Sequence, residues 1–129
     1  MNNKILLVDD DIAFHHIIRD IFHEIKSINW FFLETDGFSA LQFLEWRKNQ
    51  NDFPNIIFLD LKMPGMDGFD FLEFYQEKYS ESFPETRITV VTSSDLAKDF
   101  KKAMEFPFVN SFISKPVLKE NLIILMNNN

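Results

Sequence analysis

The sequence predicts an α/β fold, a doubly wound sheet of parallel strands with helices on both faces. Short β-rich apolar runs alternate with stripes of apolar residues at spacings of three and four, and the alternation recurs five times. The runs are nearly continuous in hydrophobicity, as strands covered on both faces require. Four of them lead into residues with usable chemistry. Asp9 and Asp10 follow Ile5-Leu6-Leu7-Val8, Asp60 follows Ile56-Ile57-Phe58-Leu59, Thr92 follows Ile88-Thr89-Val90-Val91, and Lys115 follows Phe112-Ile113-Ser114. In open parallel sheets the ligand crevice lies outside the carboxyl ends of the strands, where loops diverge and helix N-termini face the gap.

Taken in order, the first strand falls near residues 4–8, with Asp11 able to cap a helix striped by Ile17, Ile18, Ile21, Phe22 and Ile25. A second strand near 29–34 precedes a helix carrying Ala40, Leu41 and Leu44. The third, near 55–59, is followed by a helix opened by Asp67 or Gly68 and striped by Phe71, Leu72 and Tyr75. After the fourth, near 87–91, Asp95 is the expected cap of a helix that buries Leu96, Phe100, Ala103 and Met104 and ends at Pro107. The fifth strand, near 109–113, leads to a last helix with Leu118, Leu122, Leu125 and Met126, and Asn127, Asn128 and Asn129 form a frayed end. Right-handed crossovers make this order buildable, and no length remains for a linker.

With 129 residues, 46% of them apolar, the chain suits one domain with one core system. Its net charge of -7 disfavours direct nucleic-acid binding and anionic membranes, which need clustered Lys and Arg. No cysteine is present, so disulfides and thiolate metal sites are excluded. Met1-Asn2-Asn3-Lys4 runs straight into a short apolar strand and matches neither a signal peptide nor a membrane span, so the cytoplasm is the expected location. The sixteen Phe residues fall mostly at core spacing and read as core rather than as an aromatic ligand box.

If the strands bearing Asp9, Asp10 and Asp60 are neighbours, three carboxylates converge. Two such charges about 4 Å apart repel by roughly 4 kcal/mol at an effective dielectric near 20, so the cluster should hold a proton or bind a cation. Hard oxygen donors select Mg²⁺, with Mn²⁺ also acceptable, and leave coordination sites open for a phosphoryl oxygen. Phosphoryl transfer needs charge neutralisation and positioning more than covalent help. A carboxylate nucleophile (Asp60), an ammonium (Lys115) and a hydroxyl (Thr92) complete the requirement.

With those residues in place, the whole chain resembles a response-regulator receiver domain of two-component signalling. The most specific match is Asp60-Leu61-Lys62-Met63-Pro64-Gly65-Met66-Asp67-Gly68, with Pro64 and Gly68 at the family offsets. Ile5 to Asp10, Val90 to Ser93 and Phe112 to Pro116 are similar to the other family blocks. The resemblance implies a flavodoxin-like five-stranded sheet in order 2-1-3-4-5, flanked by five helices. It implies phosphorylation of Asp60 by a sensor histidine kinase or histidine phosphotransfer protein with Mg²⁺, which Asp9, Asp10, Asp60 and the backbone carbonyl of Lys62 would hold. It further implies a cis Lys115-Pro116 peptide, Thr92 and Phe112 as the switch pair, and Lys62 and Ser94 as side chains that tune phosphoryl lifetime. The output face, read by a downstream protein partner, would comprise the fourth helix, fifth strand and fifth helix, with Phe106 and Phe108 near its edge. Because a phenyl ring has no hydroxyl to solvate, Phe112 should show a weaker inward/outward preference than a tyrosine would. Lys62 and Ser94 both depart from the commonest pattern, and the Lys62 cation should weaken metal binding and alter dephosphorylation.

The resemblance implies one receiver domain over 1–129 with no effector domain in this chain, acting alone as a monomer or weak activation-dependent homodimer. A domain cut from a longer regulator would read the same way. His15, His16 and His23 lack partners at ligand spacing and read as helix-surface or docking residues. The enzyme alternative is a haloacid-dehalogenase-type phosphatase, for which Asp9-x-Asp11 fits half the motif and Ala13 breaks the rest. A pseudo-receiver that keeps only the fold is the other alternative, although every site residue is present.

Overall fold

The computed structural model describes residues 3–94 and 96–127. Strands and helices alternate throughout: β1 (Asn3–Val8), α1 (Ile12–His23), β2 (Ile28–Glu34), α2 (Gly37–Asn49), β3 (Ile56–Leu59), α3 (Gly68–Lys78), β4 (Arg87–Thr92), α4 (Ala97–Met104), β5 (Val109–Ser114) and α5 (Lys119–Asn127). All strand pairs are parallel, and the sheet order is β2-β1-β3-β4-β5, the flavodoxin-like order. Strand limits agree with the sequence expectation to within one residue.

The period-two alternation of the strands divides the core between the two faces of the sheet. Ile5, Leu7, Ile56, Phe58 and Val91 pack with Phe14, Ile18 and Phe22 of α1 and with Leu122 and Met126 of α5. On the opposite face Leu6, Val8, Ile57, Leu59, Ile88 and Val90 meet residues of α2, α3 and α4, among them Leu44, Phe71, Tyr75 and Ala103. Fully burying each such side chain stabilises by about 1.5–3 kcal/mol relative to exposure. Coverage on both faces holds for the central strands only. At the sheet edges, β2 has no fully buried residue and β5 has only Val109.

The helical stripes need correction at several positions. Ile17 and Leu118 are exposed, and Leu118 precedes α5 rather than lying in it. In α4 the expected stripe is mostly outside: Leu96, Phe100 and Met104 are 46%, 49% and 37% exposed, and of that stripe only Ala103 is buried. The second buried residue of this short helix is an acid, Asp99. Phe43 and Tyr79 are core residues that the stripes left out.

Helix entry follows the expected capping chemistry in α1 and α3. Asp11 accepts the Phe14 N–H at 3.2 Å, and Asp67 and Asp70 accept each other's backbone N–H at 2.9 and 3.3 Å, a reciprocal capping box. Asp36, unforeseen, caps α2 through the Ser39 N–H at 2.8 Å. Asp95, the expected cap of α4, lies outside the described residues, as do Asn128 and Asn129. Leu96 occupies the cap position and makes no side-chain bond there. α4 stops at Met104, before Pro107.

Gly68 sets how closely α3 approaches the end of β3. A Cβ there would lie 2.6 Å from both the Asp60 carbonyl oxygen and the Leu61 Cα, and neither backbone atom can yield cheaply. Gly68→Ala should therefore cost about 1–3 kcal/mol by overpacking, more than Gly65→Ala, whose Cβ would meet open space at φ +74°. Urea unfolding of the two variants checks the order, and a neutral Gly68→Ala would contradict it.

Candidate functional site

Parallel register brings the chemistry-bearing residues to one edge of the sheet. Val8 pairs with Leu59, so Asp9 and Asp60 leave adjacent strands at the same level. The Asp60 N–H continues the ladder to the Val8 carbonyl at 2.9 Å. Thr92 closes β4, and the Lys115 N–H donates to the Thr92 carbonyl at 2.9 Å, so Lys115 follows beside it. The Lys115-Pro116 peptide is cis, as the resemblance implies.

Asp9 is fully buried and Asp60 is 6% exposed, whereas Asp10 stands exposed at the rim. One oxygen from each of the three lies within 4.8 Å of the others. The Lys115 Nζ is 2.7 Å from Asp9 Oδ2 and 3.8 Å from Asp60 Oδ2, and its ammonium also sits 4.3 Å from the centre of the Phe14 ring. Burial pushes the Asp60 carboxyl above the ordinary aspartate range and the Asp9 charge adds to this. Lys115, the Thr92 hydroxyl and the Lys62 N–H oppose the rise. Asp9 Oδ1 accepts the Asp11 N–H at 2.9 Å. Asp9 Oδ2 is buried and, apart from the ion pair, receives no hydrogen bond. That under-satisfied oxygen, beside two more carboxylates, fits a hard divalent cation such as Mg²⁺ or Mn²⁺.

The remaining predicted residues surround this cluster. Lys62 N–H donates to Asp60 Oδ1 at 3.3 Å. Thr92 is buried, and its Oγ1 accepts the Ser94 N–H at 3.3 Å. Phe112 is half-buried with Phe100 edge-on against it, ring centres 5.4 Å apart. Pro64 lies exposed in the loop between β3 and α3. Sequence reasoning missed Asp99, whose Oδ2 accepts the Ser94 hydroxyl at 2.7 Å and lies 3.8 Å from Lys62 Nζ.

His15 is not a surface residue. It is 5% exposed, and its Nε2–H donates to the Asp9 backbone carbonyl at 2.6 Å, bracing the acidic loop from α1. His16 and His23 are exposed as expected, His23 lying edge-on to Phe31. Phe108 packs on Tyr75 of α3, ring centres 5.1 Å apart, and Phe106 packs on it, both half-buried. Asp11, the second acid of the phosphatase motif, is spent on capping α1.

The profile of the response regulator receiver domain matches residues 5–127. The chain belongs to that family. A protein-glutamate methylesterase/protein-glutamine glutaminase of Methanospirillum hungatei is 27% identical over 88% of this chain and 31% of its own length. The chain thus spans less than a third of the curated methylesterases it matches first. A two component response regulator of Cytophaga hutchinsonii superposes with a TM-score of 0.89 at 24% identity, covering 98% of this receiver and 95% of that chain. The Mn²⁺-bound form of response regulator Rcp1 superposes with a TM-score of 0.75 at 25% identity, over 95% and 88% of the two chains. Receiver domains are signalling modules that bind Mg²⁺ or Mn²⁺ at an acidic site and interact with histidine kinases or phosphotransfer proteins. Family membership replaces the phosphatase alternative. Among the described residues, no helix is long and apolar enough to cross a membrane.

The raised Asp60 pKa has a sign for stability. Such a group favours folding below its unfolded value, near 3.8, and that contribution is lost as pH rises through the raised folded value. In chelator at pH 7, Asp60→Asn should therefore melt above wild type. The gap should close as pH falls toward 3.8, and Mg²⁺ should close it from the other side by stabilising wild type alone. Equal melting temperatures in chelator at pH 7, unmoved by Mg²⁺, would contradict the charge crowding.

Proposed function

We propose that the chain is a phospho-accepting receiver of a two-component or phosphorelay system. Asp60 takes a phosphoryl group from a phosphohistidine of a sensor histidine kinase or histidine phosphotransfer protein. One observation carries this reading: a nearly buried Asp60 meets Asp9, Asp10, Lys115 and Thr92 at the carboxyl edge of a parallel sheet. A carboxylate oxygen of Asp60 forms the new O–P bond as the N–P bond of the donor breaks, and the donor imidazole leaves with the electron pair. Asp9, Asp10, Asp60 and the Lys62 carbonyl would hold Mg²⁺, which when bound supplies neutralisation of the carboxylate and phosphoryl charges. Lys115, already 3.8 Å from Asp60, pairs with a phosphoryl oxygen, and the Thr92 hydroxyl donates to another.

The phosphoryl group adds about 1.5 to 2 negative charges, enough to draw the Thr92 hydroxyl onto its oxygens and free space beside β5. Phe112 and its neighbour Phe100 then repack, altering the face of α4, β5 and α5 that a downstream protein reads. The chain acts as a switch with self-catalysed transfer and dephosphorylation, in the cytoplasm, and does not turn over an external substrate.

Intact-mass measurement after acetyl phosphate and Mg²⁺ tests this directly. Wild type should gain one labile phosphoryl group, Asp60→Ala none, and Asp9→Ala at least tenfold less in a fixed time. Folded wild type that takes up neither a phosphoryl group nor beryllofluoride would instead be a pseudo-receiver.

A further inference from the structure

α4 buries only Ala103 of the apolar stripe that its sequence marks as the inner face. Its apolar Phe100 and Met104 face outward, whereas Asp99 is buried to 7% exposure. A buried carboxylate is costly unless its oxygens are paired, and the partners of Asp99 come from both loops that border the acidic site. Ser94, after β4, donates its hydroxyl to Asp99 Oδ2 at 2.7 Å, while Lys62, after β3, brings its ammonium to 3.8 Å from the same oxygen. The backbones of these two residues touch the reacting groups. Lys62 N–H is on Asp60 Oδ1 and Ser94 N–H is on Thr92 Oγ1, each at 3.3 Å. Ser94 Oγ also lies 3.4 Å from the Leu96 N–H, which stabilises the otherwise uncapped start of α4. Two loops held at the site by their main chains are thus joined through their side chains at one acid.

We propose that Asp99 is a positioning residue for the phosphoryl group on Asp60, holding the Lys62 ammonium aside and so keeping the phosphoryl group open to water. The inference rests on Asp60 being the acceptor. Ser94 fixes the carboxylate by a direct hydrogen bond, so Asp99 is the rigid partner of the pair. Lys62, with 63% of its side chain exposed, is the mobile one. A phosphoryl group on Asp60 competes with Asp99 for that ammonium. Hydrolysis needs a water to reach phosphorus, with the P–O bond to Asp60 breaking and inorganic phosphate leaving. A lysine drawn onto the phosphoryl oxygens obstructs that approach, and Asp99 limits how often this happens.

The test is the decay of the adduct made with acetyl phosphate, followed by intact mass after donor removal. It compares wild type, Asp99→Asn, Lys62→Ala and the double variant. Asp99→Asn should lengthen the lifetime by about threefold or more, the scale of population shift that one screened ion pair allows. The double variant should decay as Lys62→Ala does, because no ammonium remains to be released. A merely structural role for Asp99 would lengthen or shorten the lifetime equally in both backgrounds, and that result overturns the proposal. Asp99→Ser is a second uncharged replacement should asparagine not be accommodated. Adduct formation with wild-type decay in the Asp99 variants overturns this inference alone, whereas no adduct in wild type overturns the acceptor assignment with it.

Discussion

Asp9 and Asp60 leave adjacent buried strands side by side, and the ammonium of Lys115 lies within 3.8 Å of both. The site depends on this crowding. Burial and the neighbouring Asp9 charge both disfavour the charged form of Asp60 and raise its pKa. Lys115 relieves it unevenly, lying 2.7 Å from Asp9 and 3.8 Å from Asp60. Asp60 is therefore the less neutralised of the pair. A divalent cation would supply the positive charge that the protein alone leaves short. The parallel register, the Asp60 N–H bond to Val8 and the close approach of α3 at Gly68 all maintain this arrangement.

Much of this was legible in the residues because strand ends in a parallel sheet have little freedom. Once Ile5 to Val8 and Ile56 to Leu59 read as central strands, Asp9 and Asp60 had to emerge at the same edge, and capping rules placed Asp11 and Asp67 correctly. What stayed hidden was set by polar partnership rather than hydrophobicity. Periodicity marked Leu96, Phe100 and Met104 as the inner face of α4, yet a helix this short sits with Asp99 inward because Ser94 and Lys62 await it there. His15 looked like surface for the same reason, since no pattern reveals that a backbone carbonyl, that of Asp9, will accept its ring N–H. Ser94 and Lys62 were readable from the resemblance as residues beside the acidic site, but their meeting at Asp99 depends on three separate loop and helix conformations.

The exposed side of α4 follows from the buried one. With Asp99 turned inward, Lys98, Lys101 and Lys102 are the exposed charges of that helix, flanking exposed Phe100 and Met104, on a chain whose net charge is -7. Phe100 connects that surface to Phe112 at the edge of the sheet, and Phe112 lies two residues from Ser114, the pairing partner of Thr92. A short path of packed rings and one strand pair thus separates the acidic edge from the outer face of α4, so a small change at Thr92 has packed neighbours through which to act.

We propose that Lys115, shared between Asp9 and Asp60, shifts toward a phosphoryl group on Asp60 once Asp9 is engaged by a cation. A crystal structure with Mg²⁺ and beryllofluoride, the latter a stand-in for the phosphoryl group, tests this most directly. The account predicts beryllofluoride on Asp60, Mg²⁺ held by Asp9, Asp10, Asp60 and the Lys62 carbonyl, and the Lys115 ammonium on a fluorine rather than on Asp9. An Asp9–Lys115 pair still intact, with no beryllium at Asp60 under saturating conditions, would contradict it.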